Sequence, residues 1–532
     1  MAGAVDVGGV FHHGGPAPGA AEVLACVGGR HGVVVEKNVA PLFVAARYST
    51  SARIVGEHDE VIAFVVGPVT NRETIDRSLG TNAKNAAQSI AAAYARFGTD
   101  AFLRLTGRYA CVVWDGRDKR LVLARSGGAG GSPALHYVRD GKRTVFATRL
   151  EYVPNPELAR DDLTRWAEDG RWPAADRGPY RDVEVVSPGH AVVIYESGRK
   201  RERTVWSFAP RSVPREVPAH EARAELDDLL ETSLARIKND VALVGEPALT
   251  TFLDRRLAAK KRRAHAQFVT TDADAILRAA RHVELPVPLS RLLALAKLVR
   301  DPGTDLVFDW GAREALGGTG PAMRAWIRAV AHALDRDPGS KAIVDLLRLA
   351  WPVDRRLGTP QLHRDVLDVG RGVARRWSKR LPGVVQRRFA GYLDEAPSDA
   401  PSWTTDVFVD HRFAETTDAT LSAAHTALIR LAQTNGRRAV APFLARDVIE
   451  LLFSIPTRYF VRDRRAMWLL DGGVPIEPPP IVAAPDALTL RLDDWLTSAS
   501  TTLHGAPAEG ADRATLDRWL GLAAWVFSRH PA

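Results

Sequence analysis

Cysteine is nearly absent from this 532-residue chain, which contains only Cys26 and Cys111. Two cysteines cannot form a disulfide framework or an all-cysteine zinc site within one chain, so a reducing compartment fits the composition. No apolar run is long enough to cross a bilayer, and the N-terminal stretch MAGAVDVGGVFHHGG lacks a basic region ahead of an apolar one. We therefore expect a cytoplasmic protein that is neither secreted nor inserted in a membrane.

The chain also lacks any extreme of composition or charge. Hydrophobic residues make up 46% and charged residues 25%, as in ordinary soluble globular proteins, and a chain of this length favours two or three domains. The formal net charge is +9, but the basic residues are spread along the sequence. Because no aromatic residues are interleaved with them for base stacking, we do not expect a nucleic-acid partner.

The first two hundred residues show the short apolar runs that are typical of strands. The clearest runs are residues 61–66, 109–114, 121–124 and 191–195, and two helical segments interrupt them at 72–79 and 86–97. This pattern predicts a sheet-rich α+β domain over residues 1–208. Residues 209–219, APRSVPREVPA, carry three prolines and little periodicity, so they are predicted to be a linker.

In residues 220–532 the apolar residues recur at the spacing that is typical of helices. Apolar residues recur at that spacing in 221–237, 275–283, 291–299, 322–334 and 439–453, and strands stand out only near Val241 and Leu306. The second half is therefore predicted to be a mainly helical α/β domain.

The stretch VALVGEPALTT, residues 241–251, reads as a buried strand, a glycine turn and the start of a helix. α/β proteins bind phosphate at such turns, because free backbone N–H groups and the helix dipole converge there. Here Pro247 has no N–H to donate, and Glu246 places a negative charge where a phosphate would lie. The sequence therefore predicts the strand, turn and helix of a nucleotide-binding site, but with residues in the turn that disfavour phosphate. The alternative is an ordinary strand–turn–helix that binds no ligand.

Residues 105–153 carry an ordered set of family motifs. Asparagine synthetases typically show L-x-G-x-[FY]-A, W-D, L-x-L-A-R-D and F-A-S-E in this order, and this chain has LTGRYA, WD, LVLARS and FATR at matching spacing. Residues 67–72 (GPVTNR), 187–190 (SPGH) and 442–456 (PFLARDVIELLFSIP) add further matches. The chain therefore resembles the asparagine synthetase family over nearly its whole length.

The resemblance implies two domains: an α+β N-terminal nucleophile-type sandwich, similar to class II glutamine amidotransferases, and a mainly helical α/β synthetase domain of the PP-loop ATPase type. In the family, a cysteine at the second position attacks glutamine to release ammonia. This chain has Ala2 there, so we expect that glutamine hydrolysis is lost. The same cysteine is missing from β-lactam synthetases and lasso-peptide cyclases, the branches that this chain most resembles.

The resemblance also implies a site for ATP and Mg²⁺, whose motifs are degraded here. The loop S-G-G-x-D-S-S aligns with GEPALTT at 245–251, where only the hydroxyls of Thr250 and Thr251 match in kind. The motif S-G-E-G-A-D-E-L-F-G-G aligns with FDWGAREALGG at 308–318, where Arg313 replaces the aspartate expected to hold magnesium. We therefore expect ATP to bind weakly or not at all, and we expect no metal site.

The candidate site residues follow from these alignments. Glu314 aligns with a carboxylate that can act as general base, and a helix glutamate favoured by the dipole is the alternative. No lysine follows Lys379 to stabilise the leaving pyrophosphate, so Arg464 and Arg465 are the candidate substitutes, or simply solvated charges. The degenerate ATP site would comprise Gly245, Thr250, Thr251, Gly311 and Ala312, and the substrate-binding cations would be Arg313, Arg255 and Arg256.

Three phosphate-handling motifs are degraded together, while the core strands, glycines and prolines that hold the fold remain. We interpret the chain as an asparagine-synthetase-like homologue in peptide or natural-product maturation, of lasso type, that has lost glutaminase and ATP-dependent chemistry. Its cleft would hold an acidic peptide or a catalytically competent pathway enzyme, and an oligomeric state stays open.

Two alternative functions also stay open. One is an active ATP-dependent amide-forming enzyme, such as a lasso-peptide macrocyclase or a β-lactam-synthetase-like protein, that uses the substituted residues. The other is a basic module that binds an acidic peptide or a nucleic acid. The basic residues available for it are Arg255, Arg256, Lys260, Lys261, Arg262, Arg263, Arg375, Arg376, Lys379 and Arg380.

Overall fold

The computed structural model of the chain describes residues 6–16, 18–27, 33–47, 54–127, 132–153, 157–174, 176–208, 210, 214–235, 237, 241–245, 247–259, 264–266, 273–300, 305–317, 407–434, 439–462, 465–470, 474–475, 486–508, 511 and 513–530. The helix predicted at 322–334 and the basic groups at 260–263 and 375–380 lie outside the described residues.

The N-terminal half folds into two antiparallel sheets. The first sheet has the strand order β10-β8-β9-β1-β3-β2 and the second β12-β11-β7-β6-β5-β4. The strands are, in chain order, β1 (Asp6–His12), β2 (Val33–Val39), β3 (Leu42–Arg47), β4 (Val55–His58), β5 (Val61–Val66), β6 (Ala110–Asp115), β7 (Arg120–Arg125), β8 (His136–Arg139), β9 (Arg143–Ala147), β10 (Glu184–Val185), β11 (His190–Tyr195) and β12 (Lys200–Thr204). The four strands predicted from apolar runs are confirmed as β5, β6, β7 and β11, which are neighbours in the second sheet.

The two sheets pack face to face, and helices cover both outer faces. Along β6, Ala110, Val112 and Trp114 point into the core between the sheets, whereas Cys111 and Val113 point toward the helices. Because both faces are buried, this strand is apolar at almost every position instead of alternating.

Helix α1 (Ala20–Ala25) packs on the first sheet, and α2 (Arg72–Leu79), α3 (Ala86–Phe97) and α4 (Ala101–Arg104) pack on the second. The helices predicted at 72–79 and 86–97 are confirmed. This order of layers agrees with the sandwich that the family resemblance implies.

Helix α3 shows how local sequence sets these boundaries. It begins after Asn85, whose side chain accepts a hydrogen bond from the Gln88 N–H at 2.9 Å, and it ends at Gly98. Ile90 and Tyr94 on its inner face are fully buried against the sheet. Gly56 in β4 allows the close approach, because a Cβ there would overlap the backbone of Gln88.

The C-terminal half is built around a parallel sheet of order β14-β13-β15-β16. Its strands are β13 (Val241–Val244), β14 (Ala264–Ala266), β15 (Asp305–Phe308) and β16 (Ala439–Val440), and a small antiparallel sheet contains β17 (Val461–Arg462), β18 (Arg465–Ala466) and β19 (Val474–Pro475). The helices that follow α5 (Arg160–Asp169) are α6 (Ala219–Leu234), α7 (Pro247–Ala259), α8 (Ala273–Arg281), α9 (Leu289–Arg300), α10 (Ala312–Leu316), α11 (Val407–Thr416), α12 (Ala419–Thr434), α13 (Arg446–Leu452), α14 (Asp486–Leu503) and α15 (Arg513–Arg529). No described helix is both long and apolar enough to span a membrane.

Three predicted helices of this half are confirmed as α6, α8 and α9, but two other predictions are wrong. The single helix predicted over 439–453 is instead β16, a 3-10 turn and α13, because Pro442 lacks an N–H and restricts the residue before it. The sheet also contains β14 and β16 beside the two predicted strands. With sequences AHA and AV, these strands are too short to show a pattern.

A buried charge cluster joins the two halves. Glu284, which follows α8, accepts a hydrogen bond from Arg430 Nη1 of α12 at 2.6 Å and from the Leu150 N–H at 2.9 Å. His136 of β8 places its Nε2 3.3 Å from Glu284 Oε2. Burial alone would raise the pKa of Glu284, but His136, Arg430 and the Leu150 N–H together hold it well below its usual range. The carboxylate is therefore ionised inside the interface.

Arg430 extends this cluster to the first strand of the chain. Its Nη2 donates to the Thr148 carbonyl at 2.9 Å. The Thr148 N–H donates to Val7 O at 2.8 Å, and the Thr148 hydroxyl accepts from the Val7 N–H at 2.9 Å. The position of β1 is thus linked to α12 through two hydrogen-bonded residues.

The C-terminal helix α15 supplies a second connection between the halves. Trp525 Nε1 donates to Val283 O at 3.0 Å, next to Glu284. Arg518 Nε donates to the Ala167 carbonyl of α5 at 2.9 Å. Helix α5 therefore packs with the C-terminal half although it belongs to the N-terminal half in sequence.

We predict that Glu284→Gln strongly destabilises the chain, because Arg430 then keeps a buried positive charge without its counter-charge. Breaking a buried ion pair from one side costs about 3 to 5 kcal/mol. Glu450→Gln is the matched control, since Glu450 forms an exposed pair with Arg446 at 2.7 Å, worth about 0.5 kcal/mol. Thermal unfolding followed by circular dichroism measures both variants, and equal melting temperatures would contradict the prediction.

We predict that stability falls in acid in two stages. Burial, with Arg149 and Arg430 nearby, lowers the pKa of His282 from 6.5 to about 4, so below pH 6.5 the unfolded chain binds a proton that the folded chain excludes. The pKa of Glu284 is lowered from 4.5, so its stabilising charge is complete above that pH and is lost below it. Melting temperatures across this pH range test both. In the His282→Asn variant the melting temperature should fall less between pH 6.5 and pH 4. The same fall as in the unaltered chain would refute the role of His282.

Candidate functional site

The parallel sheet has a crevice at the carboxyl ends of β13 and β15. In the order β14-β13-β15-β16, the chain passes from β13 to one edge and then from β15 to the other. Open α/β sheets bind ligands at such a switch point. Gly245 follows β13 and Asp309 follows β15, so these two residues form the crevice.

Asp309 fills the space beside Gly245, where the aligned family loop would bind phosphate. Gly245 has a φ of +152°, and a Cβ built on it would overlap the Asp309 carboxyl group. The Asp309 N–H donates to Val244 O at 3.3 Å, and the Ala312 N–H donates to Asp309 O at 3.0 Å. Backbone hydrogen bonds on both sides therefore position an acidic residue in the crevice, and its charge repels an anion.

Thr250 and Thr251 lie inside α7 and not at its N-terminus. The helix begins at Pro247, so an N–H donor is missing from its first position. Thr250 is buried and Thr251 is exposed, as expected for successive helix positions about 100° apart. The two hydroxyls therefore do not face the same phosphate position. Glu246 lies outside the described residues.

Helix α10 carries the candidate general base. Gly311 precedes it with a φ of +85°, and a Cβ there would overlap the Leu444 side chain, so glycine is needed at this position. Ala312 is buried at the start of the helix. Glu314 accepts a hydrogen bond from Arg291 Nη2 of α9 at 2.8 Å. A substrate amine would have to displace Arg291 to reach that oxygen.

The candidate substrate-binding cations do not share one environment. Arg313 is half-buried on α10, and Arg255 is exposed on α7. Arg256 packs over the Phe252 ring, 3.4 Å from its centroid, and its Nε donates to Asp227 on α6 at 3.0 Å. The charge of Arg256 is therefore balanced by α6.

The remaining candidates of the phosphate site are only partly described. Arg465 lies in β18 and pairs with Arg462 of β17, but its side chain and all of Arg464 lie outside the described residues. Across the described part of the chain, no three His, Cys, Asp or Glu side chains converge as metal ligands would.

Neither cysteine is suited to replace the family nucleophile. Cys26 packs on the first sheet, where burial and then Glu22 raise the pKa of its thiol to about 12. Cys111 is buried between β6 and the helices, and burial raises the pKa of its thiol still further. The thiolate is the reactive form, so both thiols are unreactive near neutral pH. Ala2 lies outside the described residues.

A cavity of about 330 Å³ lies between the two halves, and the sequence does not indicate it. Trp206 and Phe208 from the N-terminal half and Phe413 from α11 give it aromatic surface. Its buried polar lining includes Arg125, His136, Glu284 and Ser422. The cavity is therefore mostly apolar, with a few polar groups, as small-molecule sites usually are.

Arg125 is the buried cation of this cavity, whereas Arg177, which also lines it, donates to Asp162 at 3.1 Å. The Nε and Nη2 of Arg125 donate to the hydroxyl and carbonyl of Ser132 at 2.8 and 2.9 Å, and its Nη1 donates to Val186 O at 3.3 Å. All three acceptors are neutral, and within the described residues Arg125 makes no ion pair. Burial lowers the pKa of Arg125 to about 10, so the guanidinium is still charged at neutral pH.

The sequence signals for this cavity are weak. Arg125 and residues 187–190 match motifs of the family, but the resemblance gives them no role in binding. Glu284 is the one acid in the apolar stretch HVELPVPL, and an acid in such a setting can indicate a buried, paired carboxylate. That single residue is the clearest sequence signal of the interface.

Comparison with known proteins finds matches to parts of the chain. A family model described as a glutamine amidotransferase domain matches residues 57–206. "Amidase chyE" of Penicillium rubens is 26% identical over 159 residues, which is 29% of this chain and 23% of that protein. "Amidase chry2" of Gibberella zeae is 24% identical over 194 residues, 35% of this chain and 29% of that protein. The matched stretches thus span about a quarter of each relative, and residues 57–206 form a glutamine amidotransferase-like domain.

Proposed function

We propose that this chain is an asparagine-synthetase-like homologue that has lost glutaminase and ATP-dependent chemistry and binds an acidic peptide or a partner enzyme at the edge of its parallel sheet. The observation that carries the proposal is the Asp309 carboxyl group against Gly245. In an active family member this corner would have to accept the phosphates of ATP, which an acid opposes.

Two residues of α10 support the loss of ATP chemistry. Arg313 stands where the resemblance expects a magnesium-binding aspartate, and a cation there repels a metal ion. Glu314 is held by Arg291 at 2.8 Å, so its carboxylate has a structural partner. Together with Asp309, the charges in this region are the reverse of those that ATP with Mg²⁺ requires.

The crevice itself is retained. Gly317 ends α10 with a φ of +72°, and a Cβ there would overlap the Phe408 ring of α11, so the two helices approach closely. Arg255 on α7 and Arg313 on α10 belong to the helices that follow β13 and β15 and flank the crevice. An acidic segment complements these cations, and their charge would speed its association.

A role in peptide or natural-product maturation comes from the resemblance to lasso-peptide cyclases and β-lactam synthetases. Both of these form amide bonds within a substrate, and the two relatives reported above are named amidases. An enzyme of the same pathway that carries out such chemistry is therefore the expected partner, besides an acidic peptide.

We predict that the chain shows no saturable binding of ATP with Mg²⁺ below about 0.1 mM by calorimetry. Asp309→Asn removes a charge at nearly constant size and should strengthen ATP binding on the order of tenfold. Asp228→Asn, at an exposed position of α6, is the matched control and should change nothing. Tight ATP binding by the unaltered chain, with release of AMP, would instead favour an active amide-forming enzyme.

We predict salt-dependent binding of a fluorescent polyglutamate peptide, measured by anisotropy. Arg313→Glu should weaken binding by about tenfold, because it reverses a charge beside the crevice. Arg201→Glu, at an exposed position of β12, is the control and should weaken binding less than about twofold. Equal effects of the two reversals would show that the peptide binds the general positive surface and not the crevice.

A further inference from the structure

We propose that the cavity between the two halves binds a small carboxylic acid with an apolar body, whose carboxylate is held by Arg125, Ser422 and His136. This site is separate from the edge of the parallel sheet, and the proposed function does not require it.

The charge of Arg125 is the first step of the argument. Its side chain is buried, and burying a charge without an ion-pair partner is unfavourable. Glu284 also lines the cavity and its charge acts on Arg125, but the two side chains form no ion pair, and the Glu284 carboxylate already accepts from Arg430 and from the Leu150 N–H. Of the five N–H donors of Arg125, three are used. The other two can bind a carboxylate, which would supply the missing negative charge.

Two more buried groups of the cavity lack hydrogen bonds. Ser422 is 6% exposed, and its hydroxyl has no hydrogen-bond partner among the described residues. His136 is 1% exposed, and neither of its ring nitrogens makes a hydrogen bond within the described part of the chain, although Nε2 lies 3.3 Å from Glu284. Buried polar groups are rarely left unsatisfied. Both residues line the cavity with Arg125, so one oxyanion can satisfy all three.

The aromatic surface suits the apolar body of such a ligand. Trp206 stacks on Phe208 at a centroid distance of 6.2 Å, and Phe208 contacts Phe413 of α11 at 5.7 Å. This surface crosses from one half to the other and remains partly accessible from the cavity. Aromatic rings bind apolar groups through large contact areas.

The turn at residues 187–190 holds the aromatic surface in place before a ligand binds. The Gly189 carbonyl accepts from the N–H groups of Val205 and Trp206 at 2.8 and 3.0 Å. A Cβ at Gly127 would overlap the Trp206 indole, so the ring lies directly on that glycine. Residues held in this way lose little freedom when a ligand binds.

The same contacts argue against other ligand classes. An amine would need an available carboxylate, and Glu284 is already engaged by Arg430. A phosphate dianion would face Glu284, and because Arg177 of the lining already donates to Asp162, Arg125 alone would have to balance two charges. A volume near 330 Å³ is at the small end of ligand sites. A compact monocarboxylate fits these limits.

Calorimetric titration of the full chain with 3-phenylpropionate tests the proposal. We expect saturable binding of the acid, and binding at least about tenfold weaker for 3-phenylpropan-1-ol and 3-phenylpropan-1-amine, which lack the charge that Arg125 would bind. Absence of saturable binding of the acid, or equal binding of the alcohol, would overturn the proposal.

Ser422→Ala separates a ligand contact from a structural role. Because the hydroxyl lacks a partner in the fold, its removal should leave the melting temperature unchanged and weaken acid binding about fivefold. Ser89→Ala, at a buried serine of α3 whose hydroxyl donates to Asn85 O, is the matched control and should bind the acid normally. Equal affinity of the two variants would overturn the assignment of Ser422 to the site.

Arg125→Met should abolish acid binding, and its melting temperature is measured first, because the substitution also removes three internal hydrogen bonds. If this variant does not fold, Ser422→Ala and the alcohol comparison decide the question. Asp309→Asn and Arg313→Glu should bind 3-phenylpropionate like the unaltered chain. A loss of acid binding in both would place the ligand at the sheet edge and refute the cavity site.

Discussion

The buried charge of Glu284 fixes how the two halves of this chain fit together. A carboxylate that is only 6% exposed is tolerated because Arg430, His136 and the Leu150 N–H surround it. These partners come from β8, from the segment after β9 and from α12, so they cross the interface. Apolar contacts tolerate a small sliding of one surface over another, but a hydrogen-bonded ion pair does not. The interface is therefore specified by charge as well as by packing.

The same cluster determines the electrostatics of the cavity beside it. Because Glu284 pairs with Arg430 and Arg177 pairs with Asp162, Arg125 is the charge on the cavity wall that forms no ion pair among the described residues. The carbonyl of Ser132 that holds Arg125 also accepts a hydrogen bond from the Thr426 hydroxyl of α12 at 3.1 Å. The guanidinium is thus positioned by both halves, and the shape of the cavity depends on the interface that Glu284 maintains.

The sequence predicts local structure well and long-range partners poorly. Strands such as β5 and β6 are recognisable because burial on both faces makes them apolar throughout, whereas β14 and β16 need the completed sheet to form. Motif alignment draws attention to Glu314 and Arg256, which lie in α10 and α7. It does not reveal their partners Arg291 and Asp227, which lie 23 and 29 positions away. The cluster around Glu284 is even harder to predict from the sequence, because Arg430 is separated from Glu284 by 146 positions.

The chain places charges of opposite sign at its two concave sites. At the edge of the parallel sheet an acidic residue, Asp309, stands where the family resemblance expects a phosphate, and in the cavity Arg125 forms no ion pair with any residue that the structure describes. Each arrangement depends on its own elements: the first on the turn after β13 and on α10, the second on β7 and on α12. The charges at the sheet edge and those of the cavity can therefore be changed independently of each other. Whether or not the sheet edge binds a nucleotide, the cavity keeps a buried guanidinium that can bind a small anion.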